Sequence, residues 1–302
     1  MTPARITVGN APVSWGVMEV AGWGKQIPYS QLLDEIHRAG YAGTELGPYG
    51  YFPTDPETLA SELSTRELHL IASFVPIPLA HSTRHEDAYK KAMEVADLLA
   101  KVGAPLIVLA DEMSEMRMAV SGRVDELRDG MTESQWKGAA RILSRLASDC
   151  REIGVSAVFH HHAGTFIETP QEVARLCAST DADLLGLCLD TGHYLFGGGD
   201  PVDAVRLYGS RIGHLHLKDV RLSVLSRVRE DKAGFLEAVR RGVFCELGEG
   251  DVDLRAVFRG IASTGYSGWA VVEQDVDTRN EEVRPLESAI RSRQYLRSEL
   301  GI

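Results

Sequence analysis

Short apolar runs alternate with longer amphipathic segments along most of the chain. Most of the runs are rich in Val, Ile, Leu or Phe, a composition typical of a buried strand. Each is followed by apolar residues at three- and four-residue spacing, as in Leu32, Leu33 and Ile36, which predicts a helix with one buried face. The runs are RITVGNAP, YAGTELG, LHLIASFVP, PLIVLAD, VSAVFH, LLGLCLD, RIGHLHL and GWAVVEQ. Eight strand and helix pairs predict an α/β fold, a single (β/α)8 TIM barrel.

No long linker or low-complexity segment divides the chain, so we expect one domain over residues 1–302. The only sizeable irregular piece is an insertion at about residues 221–250, between the seventh strand and the seventh helix. A loop that follows a barrel strand lies on the catalytic face, so the insertion is a candidate lid or substrate wall. A stabilising or subunit-contacting role is the alternative.

Composition argues against several classes of function. The 302 residues are 44% hydrophobic but contain no run of 18 apolar residues, which disfavours a membrane span. The net charge of −11, with Lys and Arg spread along the helices, disfavours a nucleic-acid partner. The amino-terminal sequence lacks the pattern of a secretory signal, and the four cysteines form no paired spacing. We therefore expect a cytoplasmic protein with reduced thiols.

Residues able to bind a metal lie at the ends of three successive apolar runs. LLGLCLD ends at Asp190, RIGHLHL carries His216, and GWAVVEQ carries Glu273. Side chains near the carboxyl ends of parallel strands point into the mouth of a barrel, where they converge. Carboxylate and imidazole together suit a divalent cation, so the chain is predicted to be a metalloenzyme.

The fifth strand offers a fourth ligand in a row of three histidines. Because side chains alternate along a strand, His160 and His162 share the inward face, and His161 points toward the helices. The residues alone leave the choice between His160 and His162 open, although His160 closes the strand at the level of the other ligands.

Seven motifs spread over nearly the whole chain resemble the inosose dehydratase branch of the xylose isomerase-like TIM barrels. They are GNAPVSWG, GTELGPYGYFP, FHHHAGTFIETP, CLDTGHYLFGGGDP, RIGHLHLKDVR, GVFCELGEGDVD and GYSGWAVVEQD. The resemblance implies a metal held by a Glu, an Asp, a His and a second Glu from strands five to eight. Asp190, His216 and Glu273 match the last three, whereas His160 replaces the first Glu. This departure moves the expectation away from an epimerase and toward a dehydratase.

The chemistry of such a site begins with a cation that chelates a carbonyl and a neighbouring hydroxyl. The cation stabilises the enediolate formed when the intervening proton is removed. Return of the proton isomerises or epimerises the sugar, whereas loss of a β-hydroxyl dehydrates it and also needs an acid. We expect His193, His162 and Lys218 to supply the catalytic groups. A solvated Lys218 paired with Asp219 or Glu249 is the alternative for that lysine.

Three further residues are expected to contact the substrate. Glu45, near the end of the second strand, is expected to bind a hydroxyl, and Trp15 to support the C–H face of a polyol. Arg221, at the start of the insertion, is the third. A purely structural role is the alternative for Glu45 and Trp15. His214 lies deeper than His216 and is expected to orient a ligand carboxylate by hydrogen bonding.

We therefore predict a metal-dependent carbon–oxygen lyase of inositol catabolism, which eliminates water from an inosose-like polyhydroxylated cyclic ketone. The expected cofactor is Mn²⁺ or Co²⁺, with Mg²⁺ or Zn²⁺ as alternatives, and a homodimer is the commonest assembly for such proteins. The runner-up activities are sugar isomerisation or epimerisation and β-elimination from a 3-keto-glycoside. An abasic-site endonuclease is disfavoured by the charge of −11, and a non-catalytic binding protein by the convergent carboxylates.

Overall fold

Parallel strands and helices alternate through the computed structural model, which describes residues 6–20 and 22–302. The inner strands carry the labels β1 to β8, and β3 consists of two segments. They are β1 (Ile6–Asn10), β2 (Gly43–Thr44), β3 (His69–Leu70 and Phe74–Ile77), β4 (Leu106–Asp111), β5 (Ser156–His160), β6 (Leu185–Asp190), β7 (Ile212–Leu217) and β8 (Gly268–Val272).

These strands form a closed sheet. β1 pairs with β2 and β8, and the order continues through β7, β6, β5 and β4 to the second segment of β3, while the first segment pairs with β2. The residues between the two segments of β3 are hydrogen-bonded to both neighbouring strands. Ile71 donates its N–H to Thr44 O in β2, and Ser73 O accepts from the Val108 N–H in β4, each at 2.9 Å. The closed, all-parallel order confirms the predicted (β/α)8 barrel.

One helix follows each barrel strand and covers the outside of the sheet. These helices are α1 (Tyr29–Arg38), α2 (Pro56–Ser64), α3 (His85–Val102), α4 (Glu133–Glu152), α5 (Pro170–Ser179), α6 (Pro201–Tyr208), α7 (Leu254–Thr264) and α8 (Pro285–Tyr295). Capping boxes start two of them, with Thr132 and Gln135 at α4 and Thr169 and Glu172 at α5. In the described part of the chain, no helix is both long and apolar enough to cross a membrane.

Small and branched apolar side chains fill the inside of the barrel. The inward cluster consists of Ala11, Ile71, Ala72, Val108, Val158, Cys188 and Val271. Gly9 leaves the space that Ile71 occupies, because a Cβ at residue 9 would lie 2.2 Å from Ile71 Cδ1. This apolar plug leaves the carboxyl ends of the strands as the place where polar side chains can meet.

The insertion at about 221–250 lies over the carboxyl ends of the strands. It contains two helices, Leu222–Glu230 and Phe235–Arg240, and the strand Phe244–Cys245, which pairs with Asp219–Val220 just before the insertion. The rings of Phe235 and His162 have centroids 5.3 Å apart, and those of Phe244 and His193 are 5.2 Å apart. The insertion therefore supplies an apolar cover for the histidines.

A second excursion, residues 112–132, connects β4 to α4 on the same face. It contains the short helices Glu115–Val120 and Glu126–Asp129. Arg117 fixes it to the barrel, because its guanidinium donates to both carboxylate oxygens of the buried Glu172 at 2.8 and 2.9 Å. The expectation that 221–250 is the only sizeable irregular piece is therefore wrong. Short helices held by tertiary contacts leave little periodicity in the sequence.

Candidate active site

Four side chains from neighbouring strands meet at the carboxyl end of the barrel. His160 ends β5, Asp190 ends β6, His216 lies in β7, and Glu273 follows β8. In the paired strands Asp190 lies opposite His216, and His216 lies opposite Val271, two residues before Glu273. One candidate ligand atom from each of the four residues lies within 4.8 Å of the others. The structure thus brings together the metal-binding quartet expected from the sequence.

The environment of His216 shows that this quartet is suited to a cation. Its Nε2 lies 2.9 Å from Glu45 Oε1, while its Nδ1 has no hydrogen-bond partner among the described residues and lies 3.4 Å from Glu273 Oε2. Burial opposes a charge on this ring, but Cys188, Glu273 and Glu45 raise its pKa well above 6.5. A buried nitrogen that faces carboxylates in this way requires either a proton or a metal ion.

The three histidines of the fifth strand have different surroundings. His160 joins the quartet, with Nε2 at 3.4 Å from Asp190 Oδ2, whereas His162 lies in a separate group with His193 and Asp275. His161 faces outward, where its Nε2 accepts a hydrogen bond from the Asp190 backbone N–H at 3.3 Å. The geometry therefore favours His160 over His162 as the candidate ligand.

Lys218 provides positive charge beside the quartet. Its Nζ lies 3.0 Å from Asp275 Oδ2, 3.1 Å from Glu273 Oε2 and 3.4 Å from Asp190 Oδ2, and the side chain is fully buried. Burial opposes its charge, but the three carboxylates raise the pKa of the ammonium above its ordinary value. The solvated lysine considered in the sequence analysis is therefore ruled out. Asp219 instead accepts hydrogen bonds from four backbone N–H groups.

The DTGH motif positions this lysine as well as the candidate ligand. Asp190 Oδ1 accepts from the His193 backbone N–H at 2.7 Å and so caps the short helix Thr191–Phe196. The Thr191 hydroxyl donates to Lys218 O at 2.7 Å and accepts from Lys218 N–H at 3.0 Å. Gly192 leaves room for the lysine stem, because a Cβ at residue 192 would lie 2.6 Å from Lys218 Cγ. The motif therefore fixes a carboxylate and a cation together.

His162 and His193 form a second layer of imidazoles. His162 Nδ1 lies 2.6 Å from Ala163 O, so this nitrogen carries the proton and leaves a lone pair on Nε2. Burial lowers the pKa of His162 to about 3. His193 lies behind it, with ring centroids 3.8 Å apart, and its Nε2 is 2.8 Å from Lys218 Nζ. Burial also lowers the pKa of His193, so both rings are neutral.

Glu45 and His214 support the quartet from below. Glu45 Oε1 lies 2.8 Å from His214 Nε2 and 2.9 Å from His216 Nε2. Burial alone would raise the pKa of Glu45, but the two histidines lower it to about 2. The carboxylate therefore orients His216, the kind of partner that a metal-binding imidazole commonly has. His214 bonds to Glu45, which is not one of the four candidate ligands, rather than to a carboxylate of the quartet.

Two residues expected to bind substrate lie away from these groups. Trp15 is almost fully buried and donates its indole N–H to Glu35 Oε2 at 2.6 Å, because the 3-10 helix Pro12–Trp15 turns its side chain toward α1. Arg221 lies at the base of the insertion, where its backbone N–H donates to Val243 O at 2.9 Å. Neither residue lines the cavity above the quartet. The structure thus corrects both expectations.

A cavity of 280 Å³ opens above the quartet and is lined by His160, His162, Glu45 and Glu273. Several other residues that line the cavity were not identified as site residues from the sequence. They are Glu19, Met18, Met113, Met118, Asp111 and Asp275. Asp275 carried a readable signal, since it lies two residues beyond Glu273 and shares its face. The methionines come from irregular loops, which leave no such pattern.

The sequence is similar to curated proteins over almost its full length. It is 32% identical over 302 residues to an inosose dehydratase of Lacticaseibacillus casei (strain BL23), covering 100% of this chain and 99% of the relative. It is 34% identical over 298 residues to an inosose dehydratase of Geobacillus thermodenitrificans (strain NG80-2), with 99% and 98% covered.

Solved structures share the fold at lower identity. The probable 3-DHS dehydratase AsbF from Bacillus anthracis aligns with a TM-score of 0.68 at 16% identity, covering 98% of this chain and 100% of that one. The IOLI protein with a binding zinc atom aligns with a TM-score of 0.69 at 14% identity, covering 95% and 96%. The family model described as the xylose isomerase-like TIM barrel matches residues 21–299. This chain therefore belongs to the xylose isomerase-like TIM barrel family.

Proposed function

We propose that the protein is a metal-dependent hydro-lyase that removes water from an inosose-like polyhydroxylated cyclic ketone. The observation that carries the proposal is the buried quartet of His160, Asp190, His216 and Glu273, two of which, His160 and Glu273, line the cavity. Full-length similarity to inosose dehydratases supports the same reaction.

The quartet would hold one divalent cation through two imidazoles and two carboxylates. We favour Mn²⁺ or Co²⁺, because both accept mixed nitrogen and oxygen ligands. Mg²⁺ prefers oxygen ligands and water, whereas Zn²⁺ accepts the same mixed ligands and is the alternative. When bound, the cation would stabilise the negative charge that develops on the ketone oxygen as the neighbouring proton leaves.

His162 is the proposed base. It lines the cavity, and its Nδ1–H is held by Ala163 O, so Nε2 is the nitrogen free to accept a proton from the carbon beside the ketone. The neutral state of the ring is the state from which a base must start. His193 does not line the cavity and acts as a positioning residue, packed against the ring of His162.

Asp275 is the proposed acid for the departing hydroxyl. It also lines the cavity, and burial raises its pKa to about 6 against the opposing effect of Lys218. With this pKa a minor fraction of Asp275 is protonated at pH 7, and the protonated form can donate its proton to the β-hydroxyl, which leaves as water. Proton transfer from His162 through solvent then restores both groups. Lys218 Nζ donates to Asp275 Oδ2 at 3.0 Å and limits the movement of this side chain.

The direct test is to mix Mn²⁺-loaded protein with scyllo-inosose and to follow near-ultraviolet absorbance, with the product identified by NMR. We expect a conjugated or diketone product from the wild type and at least a hundredfold slower reaction from His162→Gln and Asp275→Asn, since each step loses its proton carrier. Met116→Gln, at an exposed position outside the cavity, is the matched control and should match the wild type.

Two other outcomes would overturn the proposal. Interconversion of free ketoses without loss of water would assign the protein to the isomerases. Release of a sugar from a 3-keto-glycoside, with no reaction of inososes, would assign it to glycoside β-elimination.

A further inference from the structure

The residues that line the cavity above the quartet fall into two chemically different sets. One set is the histidines and carboxylates already described. The other includes Met18, Val20, Met113 and Met118, a surface that we call the apolar wall. All four side chains are half-buried, and all four pack against the apolar cluster that the insertion forms around Phe235. Two separate loops thus place apolar surface at the cavity.

The apolar wall is unsuited to a ring that carries a hydroxyl on every carbon. Among the described residues that line the cavity, none is Ser, Thr, Asn, Gln or Tyr, and the four side chains of the wall itself offer a hydroxyl no hydrogen-bond partner. The polar lining residues next to them in the sequence are the carboxylates Glu19 and Glu112. The histidines and carboxylates of the first set can bond the substrate's other hydroxyls. A hydroxyl at the wall would lose water without replacement, whereas a methyl group there would replace water with favourable contacts.

The charges around the cavity indicate that the substrate is not an anion. Six acidic side chains line it, and no lysine or arginine does among the described residues. One of the six, Glu112, is neutralised by Arg84 at 2.6 Å. Glu45, Glu273 and Asp275 lie beside His214, His216 and Lys218, but a phosphate or carboxylate on the substrate that meets Glu19 or Asp111 would find no lysine or arginine among the described lining residues.

We infer that the preferred substrate is an uncharged polyhydroxylated ketone with one apolar substituent, such as an O-methyl ether, on the ring position that meets the apolar wall. This inference rests on the proposed function for its reaction. It adds that the enzyme is specialised for an alkylated ketone over the fully hydroxylated one.

Binding and turnover are measured separately, so that the preference for an ether and the proposed dehydration are tested independently. Dissociation constants for scyllo-inosose and for each of its mono-O-methyl ethers are measured by calorimetry with Mn²⁺-loaded Asp275→Asn, in which the proposed acid is absent. At least one ether should bind about fourfold or more tightly, the gain that burial of one methyl group gives. Turnover of the same compounds is then measured with the wild type, where kcat/KM should favour the same ether.

A variant of the wall links the preference to the structure. Met113→Gln places an amide at the wall and should lower the preference for the ether to about one or below, while scyllo-inosose gains. Met116→Gln changes a neighbouring exposed methionine outside the cavity and should keep the wild-type preference.

Each outcome decides a specific statement. Three results would overturn the inference: weaker binding of every ether than of scyllo-inosose, a preference that Met113→Gln leaves unchanged, or tighter binding of a phosphorylated ketone. In each case, turnover of scyllo-inosose would leave the proposed function in place. Tighter binding of an ether without any turnover supports the inference and overturns the proposed function. Absence of both binding and turnover overturns both.

Discussion

Lys218→Met removes the positive charge that the metal-free protein places among three buried carboxylates. The ammonium lies 3.0, 3.1 and 3.4 Å from oxygens of Asp275, Glu273 and Asp190. At an effective dielectric constant of about 20, each attraction amounts to about 5 kcal/mol before the cost of desolvation. Loss of one partner from a buried charge cluster has a net cost of about 3 to 5 kcal/mol.

For a chain of this size that loss lowers the melting temperature by roughly 5 to 8 °C. The assay is thermal unfolding followed by circular dichroism, after EDTA treatment and again with saturating Mn²⁺. Because a metal ion in the quartet restores positive charge, we expect Mn²⁺ to raise the melting temperature of Lys218→Met by more than it raises that of the wild type. Lys101→Met is the matched control, since Lys101 pairs with Asp97 on the exposed surface of α3.

The reasoning is refuted if EDTA-treated Lys218→Met melts together with the wild type. It is equally refuted if Mn²⁺ stabilises both proteins to the same extent, since the lysine would then not offset the charge of the carboxylates.

Three further predictions concern packing, an ion pair and pH. Gly192→Ala pushes a Cβ against Lys218 and should lower kcat at least tenfold, measured as turnover, with metal content unchanged. Arg117→Met leaves Glu172 buried without its partner and should lower the free energy of unfolding by about 3 to 5 kcal/mol, measured by urea denaturation. Burial raises the pKa of Asp111 to about 7 from its ordinary 3.8. The folded protein therefore holds a proton that the unfolded chain releases between these values, and stability falls as pH rises from about 4 to 7. In Asp111→Asn this fall should be smaller.

Each of these predictions has an outcome that contradicts it. Gly192→Ala with wild-type turnover would show that the lysine stem moves without consequence. Arg117→Met with wild-type stability would show that residues 112–132 are held by other contacts. Equal pH profiles for Asp111→Asn and the wild type would place the titration of Asp111 near its ordinary value.

The barrel could be predicted from the sequence because its strands and its helices both leave periodic patterns of apolar residues. Apolar runs such as LLGLCLD and helices such as the one carrying Leu32, Leu33 and Ile36 repeat at the spacing that burial requires. The same periodicity places Asp190 and His216 at corresponding strand ends. Three of the four candidate ligands could therefore be named from the sequence, and the fourth could be narrowed to His160 or His162.

The rest of the site depends on tertiary contacts that leave no periodic pattern in the sequence. Trp15 follows the first strand, but a 3-10 turn directs its indole to Glu35 rather than to the cavity. Met18 and Met113 reach the cavity from loops, whose course is set by tertiary packing. Glu45 was placed near the mouth correctly, but its bonds to two histidines follow from barrel closure, which brings β2 and β7 face to face across the interior.

The most direct measurement is the dependence of scyllo-inosose dehydration on bound metal. Metal-free protein is titrated with Mn²⁺, and the initial rate of the near-ultraviolet change is plotted against metal content from elemental analysis. We expect the rate to rise in proportion to metal and to level off at about one ion per chain, the number that one quartet of ligands accommodates. In Asp190→Asn we expect neither tight binding nor turnover, although the asparagine oxygen can still cap the following helix. Full dehydration by metal-free protein, or an Asp190→Asn variant that binds metal as tightly as the wild type, would contradict a metal-dependent reaction at this quartet.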